Sequence, residues 1–150
     1  MKEKWLVTGI LALGIFLHFS AFPCHAQKSP KALTLLYSNN INGEIDPCPT
    51  WGEKSRIGGL ARRGAWVKDL KESEKGILVL DSGDFLFKKY LQHIPENELK
   101  MMGEKAYLII ECLNLMGYDA VGIGEDDLTL GKEFLSEISK KANFPFISSN

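Results

Sequence analysis

The sequence predicts an α/β fold in which four mainly parallel strands alternate with helices. Two observations carry this expectation. Short apolar runs that fit strands alternate with longer stretches whose apolar residues recur at three- and four-residue steps. Each of the four runs also leads into a loop rich in oxygen-bearing side chains.

The first expected strand is residues 32–38 (ALTLLYS), read as buried, and the stretch 58–73 (GGLARRGAWVKDLKES) follows as a helix with Leu60, Gly64, Val67 and Leu70 on one face. Residues 76–81 (GILVLD) read as a second buried strand. The stretch 96–116 reads as a long helix, apolar except for a polar stripe of Tyr107, Glu111 and Asn114. Residues 119–123 (DAVGI) give a third strand, 132–142 a helix with Phe134, Leu135, Ile138 and Ala142 on one face, and 144–149 (FPFISS) a fourth strand. No internal repeat or low-complexity segment is present.

Residues 1–26 fall outside this pattern. Lys2 and Lys4 precede an apolar run from Trp5 to Phe22, and PCHAQ follows with small Cys24 and Ala26. A charged start, apolar middle and small-residue exit are the marks of a secretory signal, which sets the mature domain at 27–150. The run is also long enough to act as an uncleaved anchor. Export to a periplasmic or extracellular space is the expectation, and there Cys48 and Cys112 could form a disulfide. With 18 basic against 19 acidic side chains and a formal net charge of −1, no basic stripe points to nucleic acid.

In parallel sheets the loops after the carboxyl ends of the strands gather along one edge, where ligands bind. The first strand brings Asn39, Asn40 and Asn42 there, the second Asp81 to Asp84 (DSGD), the third Gly124 to Asp127 (GEDD), and the fourth ends at Asn150.

In this order the motifs NNING, GGLARR, VLDSGD, LNLMGYDAVGIGEDD and NFPFISSN resemble the amino-terminal half of the metallophosphoesterase domain of 5′-nucleotidase-like (UshA-like) exported proteins. The resemblance runs from about Leu33 to Asn150 and implies half of an αββα sandwich, a truncated domain. It implies hydrolysis of nucleotides or other phosphoesters by two divalent metals, usually transition metals, held between the loops at the sheet edge. Carried over by position, the first metal motif, Asp-x-His, falls on Asn40-Ile41-Asn42 and the bridging aspartate on Asp84. The Gly-Asn-His-Glu/Asp motif falls on Gly124 to Asp127, which makes Glu125 a metal position and Asp126 the catalytic-histidine position. An aspartate has thus lost its charge and a histidine its imidazole, and beyond residue 26 the sequence holds only His93.

The remaining ligands, Asn40, Asn42, Asp84, Glu125 and further acidic residues through Asp127, are all oxygen donors. They suit one hard cation, Mg²⁺ or Ca²⁺, better than zinc. Two functions remain open: an impaired or incomplete phosphoester hydrolase, or a non-catalytic module that keeps the fold to bind a cation or a partner.

Plainer readings stand beside these. Asn40 and Asn42 suit an Asx-turn, and Glu125–Asp127 suit a solvated helix start. Gly58-Gly59 fit either tight packing or a phosphate at the helix start. Cys112 fits a small core residue, whereas Cys48, just past the first motif, is a candidate metal ligand or reactive thiol. Four strands supply about one sheet of the sandwich, so an apolar sheet face is expected to be bare and to promote self-association.

Overall fold

The computed structural model describes residues 32–47, 58–88 and 94–148. The expected signal segment 1–26 and Cys48, His93 and Asn150 lie outside the described residues. Four parallel strands, β1 (Thr34–Ser38), β2 (Ile77–Asp81), β3 (Ala120–Gly122) and β4 (Phe146–Ile147), form one sheet in the order β1-β2-β3-β4. Helices α1 (Leu60–Ser73), α2 (Glu96–Met116) and α3 (Gly131–Ser139) connect them, with a 3₁₀ turn at Asp126–Leu128 ahead of α3. Among the described residues no helix is long and apolar enough to cross a membrane.

The strand order dictates where the core lies. When each strand adds beside its predecessor and every crossover has the usual right hand, all the helices fall on the same side of the sheet. Burial follows that rule. Val79 and Val121 point under the helices and are buried, whereas Leu33, Leu35, Tyr37, Leu78 and Ile147 are exposed, Leu35 at 55% and Tyr37 at 73%. The first two strands are therefore half-buried and alternating, not buried on both faces. An apolar run alone does not distinguish these cases.

Helix α2 is the spine of the covered side. Ala106, Ile109, Ile110 and Leu113 are fully buried on its inner face. Its end is fixed by Gly117, left-handed at φ 68°, with Gly117 N–H donating to Asn114 O (3.0 Å) and Tyr118 N–H to Leu113 O (3.2 Å). This paired closure is the Schellman motif. Lys71 Nζ of α1 donates to Met116 O and Gly117 O (3.1 and 2.5 Å), placing a cation at the negative end of the helix.

The polar stripe of α2 meets α3. Tyr107 OH donates to Glu137 Oε1 (3.1 Å), and burial, then that carboxylate, pushes the phenol up. Asn114 donates to Lys141 O (2.9 Å) and accepts from Asn143 N–H (2.7 Å). Those two bonds fix the α3–β4 connection, and α3 ends at Ser139, three residues before its apolar pattern stops. The following N–H groups of Lys140, Lys141 and Ala142 bond three residues back, the tighter spacing common at helix ends. Strand β4 is shorter than the apolar run 144–149. Pro145, which has no N–H to give, contributes only its carbonyl, accepting from Val121 N–H (3.1 Å).

Replacing a spine residue should therefore cost far more than replacing an apolar residue on the outside. Ile110→Ala is expected to lower the unfolding free energy by about 2–4 kcal/mol, and Leu115→Ala, at a site 88% exposed, by less than about 0.5 kcal/mol. Urea denaturation followed by circular dichroism reads both.

Candidate functional site at the carboxyl edge of the sheet

Parallel pairing continues beyond the ends of β1 and β2. Ser82 N–H donates to Ser38 O (3.0 Å), Asn40 N–H to Gly83 O (3.1 Å), Asn42 N–H to Asp84 O (2.9 Å) and Gly43 N–H to Phe85 O (3.1 Å). The two tips thus lie side by side. Asn40 (φ 46°), Asn42 (φ 53°) and Asp84 (φ 55°) are the non-glycine residues with positive φ among those described. Asparagine and aspartate enter this region more readily than most residues. All three stand at positions singled out in the sequence as ligands.

The third tip is tied to the second by a single carboxylate. Asp127, fully buried, accepts from Gly124 N–H and Asp84 N–H through Oδ2, and from Phe85 N–H and Leu86 N–H through Oδ1, each at 2.9 Å. Burial raises its proton affinity above the ordinary aspartate value, and the four N–H donors pull the other way. Asp84 returns the tie, with Oδ1 accepting from Asp126 N–H at 2.9 Å. Contact is so close that a Cβ at Gly124 would overlap the Asp84 carboxylate, and one at Gly83 would lie 2.7 Å from Gly124 N.

Asp127 is therefore neither part of a solvated helix start nor a spare ligand, because backbone donors occupy both of its oxygens. In sequence it is one of three adjacent acids. Its hint is the three-residue step back to Gly124, the reach of the acidic half of a capping box.

A second buried network was not evident in the sequence. Asp81, 4% exposed, accepts from Ser38 Oγ (2.5 Å) and Gly83 N–H (2.9 Å). Ser38 Oγ also meets Tyr118 OH at 3.0 Å, and Arg63 Nη1 donates to that phenol at 3.5 Å. These partners come from separate segments, and no short motif spans them.

The remaining positions are distributed as follows. Asn40 and Glu125 are exposed at the edge, and Asn42, Asp84 and Asp126 are half-buried. The structure brings the backbones of the β1, β2 and β3 tips together. Among the described residues, however, no group of three or more His, Cys, Asp or Glu side chains could hold a metal ion. Those residues do not meet the needs of a two-metal centre with imidazole ligands.

Packing is tight at the helix start by Gly59. A Cβ there would sit 3.0 Å from Pro47 N, and the first N–H of α1, from Leu60, donates to Ile45 O (2.9 Å). Cys112 is half-buried against the core, and burial, then Glu111, pushes its thiol up.

No family model matches the chain. It is 29% identical over 147 residues to the 5′-nucleotidase of Bos taurus, covering 94% of this chain and 23% of that protein. Among solved structures, the 5′-nucleotidase precursor of Thermus thermophilus aligns with a TM-score of 0.61 at 28% identity, over 79% of this chain and 22% of that one. The calcineurin-like phosphoesterase YfkN of Bacillus subtilis aligns with a TM-score of 0.56 at 25% identity, over 77% of this chain and 36% of that one. The chain spans about a quarter or less of the length of the curated relatives it matches first. Its homologues are 5′-nucleotidases and related nucleotide phosphoesterases, and the likeness covers their amino-terminal part.

The tie between the tips has a direct test. Asp127→Asn turns one acceptor into a donor facing N–H groups and is expected to lower the unfolding free energy by about 3 kcal/mol. Asp84→Asn keeps an oxygen for Asp126 N–H and should cost less than about 1 kcal/mol. Chemical denaturation of the two variants gives the comparison.

Proposed function

We propose that this homologue of the amino-terminal part of 5′-nucleotidases is an exported protein of the phosphoester-hydrolase class, impaired for hydrolysis by its own ligand positions. In this reading residues 1–26 direct export and 27–150 are the mature, metallophosphoesterase-like domain. The observation that carries it is the strand-tip edge. Three tips are bonded together, and Asn40, Asn42 and Asp84 hold left-handed backbone at the ligand positions. Histidine is among the residues that tolerate this conformation, so the backbone at position 42 suits the family's imidazole although the side chain is now an amide.

The chemistry left to these side chains is limited. Neutral amides at Asn40 and Asn42 accept a hard cation weakly, and Asp84 has one oxygen engaged with Asp126 N–H. Glu125 is the further metal position, and Asp126 replaces the catalytic imidazole with a carboxyl group. Bound metal would supply charge neutralisation at a phosphoryl oxygen and an activated water. The residues themselves offer one weak site for Mg²⁺ or Ca²⁺ and no imidazole to pass a proton.

The chain is therefore expected to release no phosphate from nucleoside monophosphates above background with Mg²⁺, Ca²⁺, Mn²⁺ or Zn²⁺. Turnover abolished by Asp84→Ala would overturn impairment. Asn40→Asp combined with Asn42→His should tighten Mn²⁺ binding by about tenfold or more, read by calorimetry, and no tightening would count against the ligand assignment. A thiol role for Cys48 predicts that Cys48→Ser changes metal binding or activity, and an unchanged variant removes it.

The alternative, a non-catalytic cation- or partner-binding module, is favoured by the amides at both positions of the first motif. On either reading, self-association through the bare sheet face is proposed, since Leu33, Leu35, Tyr37, Leu78 and Ile147 form an exposed apolar surface. Sedimentation velocity should show mass rising with concentration, and Leu35→Lys with Tyr37→Lys should return the chain toward a monomer. A wild-type monomer at all concentrations would contradict this.

A further inference from the structure

Next to the strand-tip edge a cavity of about 150 Å³ opens between the loops after β1 and β2 and the first half of α2. Its floor includes Leu86 and Phe87, both buried, and its wall includes Asn42, Glu44, Lys88 and Lys105. The two lysines come from different elements, one just past the segment held by Asp127 and one on the helical spine. Lys88, Lys105 and the Asn42 amide make no ion pair or side-chain hydrogen bond with another described residue. Three side chains with N–H donors therefore surround one concavity. Glu44 opposes them with one negative charge, leaving the wall net positive.

We propose that this cavity binds a small oxyanion of the phosphate class, as a site that shares Asn42 with the strand-tip edge but needs no metal. Size admits the ligand. A cavity of about 150 Å³ is roomy enough for a tetrahedral oxyanion. Chemistry selects its charge. Each ammonium brings three donors and a point charge, and the apolar floor strengthens such pairing relative to open water. Lys88 follows residues whose amides are fixed by Asp127, and Lys105 stands on α2, so both lysines start from ordered backbone beside the cavity.

The test is equilibrium dialysis of the full chain against labelled inorganic phosphate, in EDTA and at constant ionic strength balanced with chloride. It is independent of hydrolysis and of metal, so its failure and the failure of the hydrolase reading are separate results. One saturable site is expected. Lys88→Gln and Lys105→Gln should each weaken it about fivefold or more, Glu44→Gln should tighten it, and Lys140→Gln should leave it unchanged.

Circular dichroism of each exposed-site variant confirms that its fold is retained. A parallel titration with phenyl phosphate distinguishes the ligand's source. Competition at the same site extends the assignment to esterified phosphate, and its absence assigns the site to the free ion. No saturable phosphate binding, or binding indifferent to both lysines, overturns the proposal.

Discussion

The carboxylate of Asp127 is the constraint on which the ligand-position edge of this fold depends. Backbone amides in loops are left without ladder partners when strands end, and burying them unpaired is costly. Here one side chain satisfies four such amides, three from the β2 tip and one from its own loop. Because the β2 tip in turn pairs with the β1 tip, the conformations of Asn40, Asn42 and Asp84 all depend on that acceptor. Gly83 and Gly124 complete the arrangement by permitting backbones to approach where a Cβ could not fit. An ionised carboxylate without donors would not remain in this position. Burial acts against its charge, and the four N–H groups make the charge tolerable.

Strand order has an equally wide influence at the level of the whole sheet. A sequential parallel arrangement places every crossover helix on one side, so the core is one-sided. The same arrangement directs all the carboxyl-end loops to one edge. The exposed apolar face and the clustered tips therefore have a common cause. Helix α2 links them, since its buried face fills the covered side and its Lys105 borders the cavity beside Asn42.

Much of this was legible in the sequence, and what was not has identifiable reasons. Helix α2 appears with the bounds its periodicity implied, because Pro95 precedes it and Gly117 ends it. The four strands and their parallel order follow from alternation of element types. Burial of β1 and β2 differs from expectation because their apolar runs show no alternation, and exposure of Leu35 and Tyr37 depends on where helices fall. Position 127 illustrates another limit. Glu125, Asp126 and Asp127 are chemically alike, yet one is exposed, one half-buried and one fully buried. The turn after β3 sets this difference, and charge alone does not encode it. The Ser38–Asp81–Tyr118 network was equally hidden, since it joins residues 80 positions apart.

Frame and chemistry are separable in this molecule. The frame rests on Asp127, Gly83, Gly124 and main-chain pairing, and each of these acts through the backbone. The chemistry rests on side chains at 40, 42, 125 and 126, and those at 40, 42 and 126 hold none of the tip-to-tip bonds described above through their side chains. Exchanging aspartate or histidine for asparagine at 40 and 42 therefore changes ligand strength without removing a bond that holds the loops. Asp84 is different, because its Oδ1 bonds Asp126 N–H while the same carboxylate occupies the bridging-ligand position. A change there acts on both frame and chemistry. At Asp84, an assigned ligand position, altered chemistry is thus constrained by the fold.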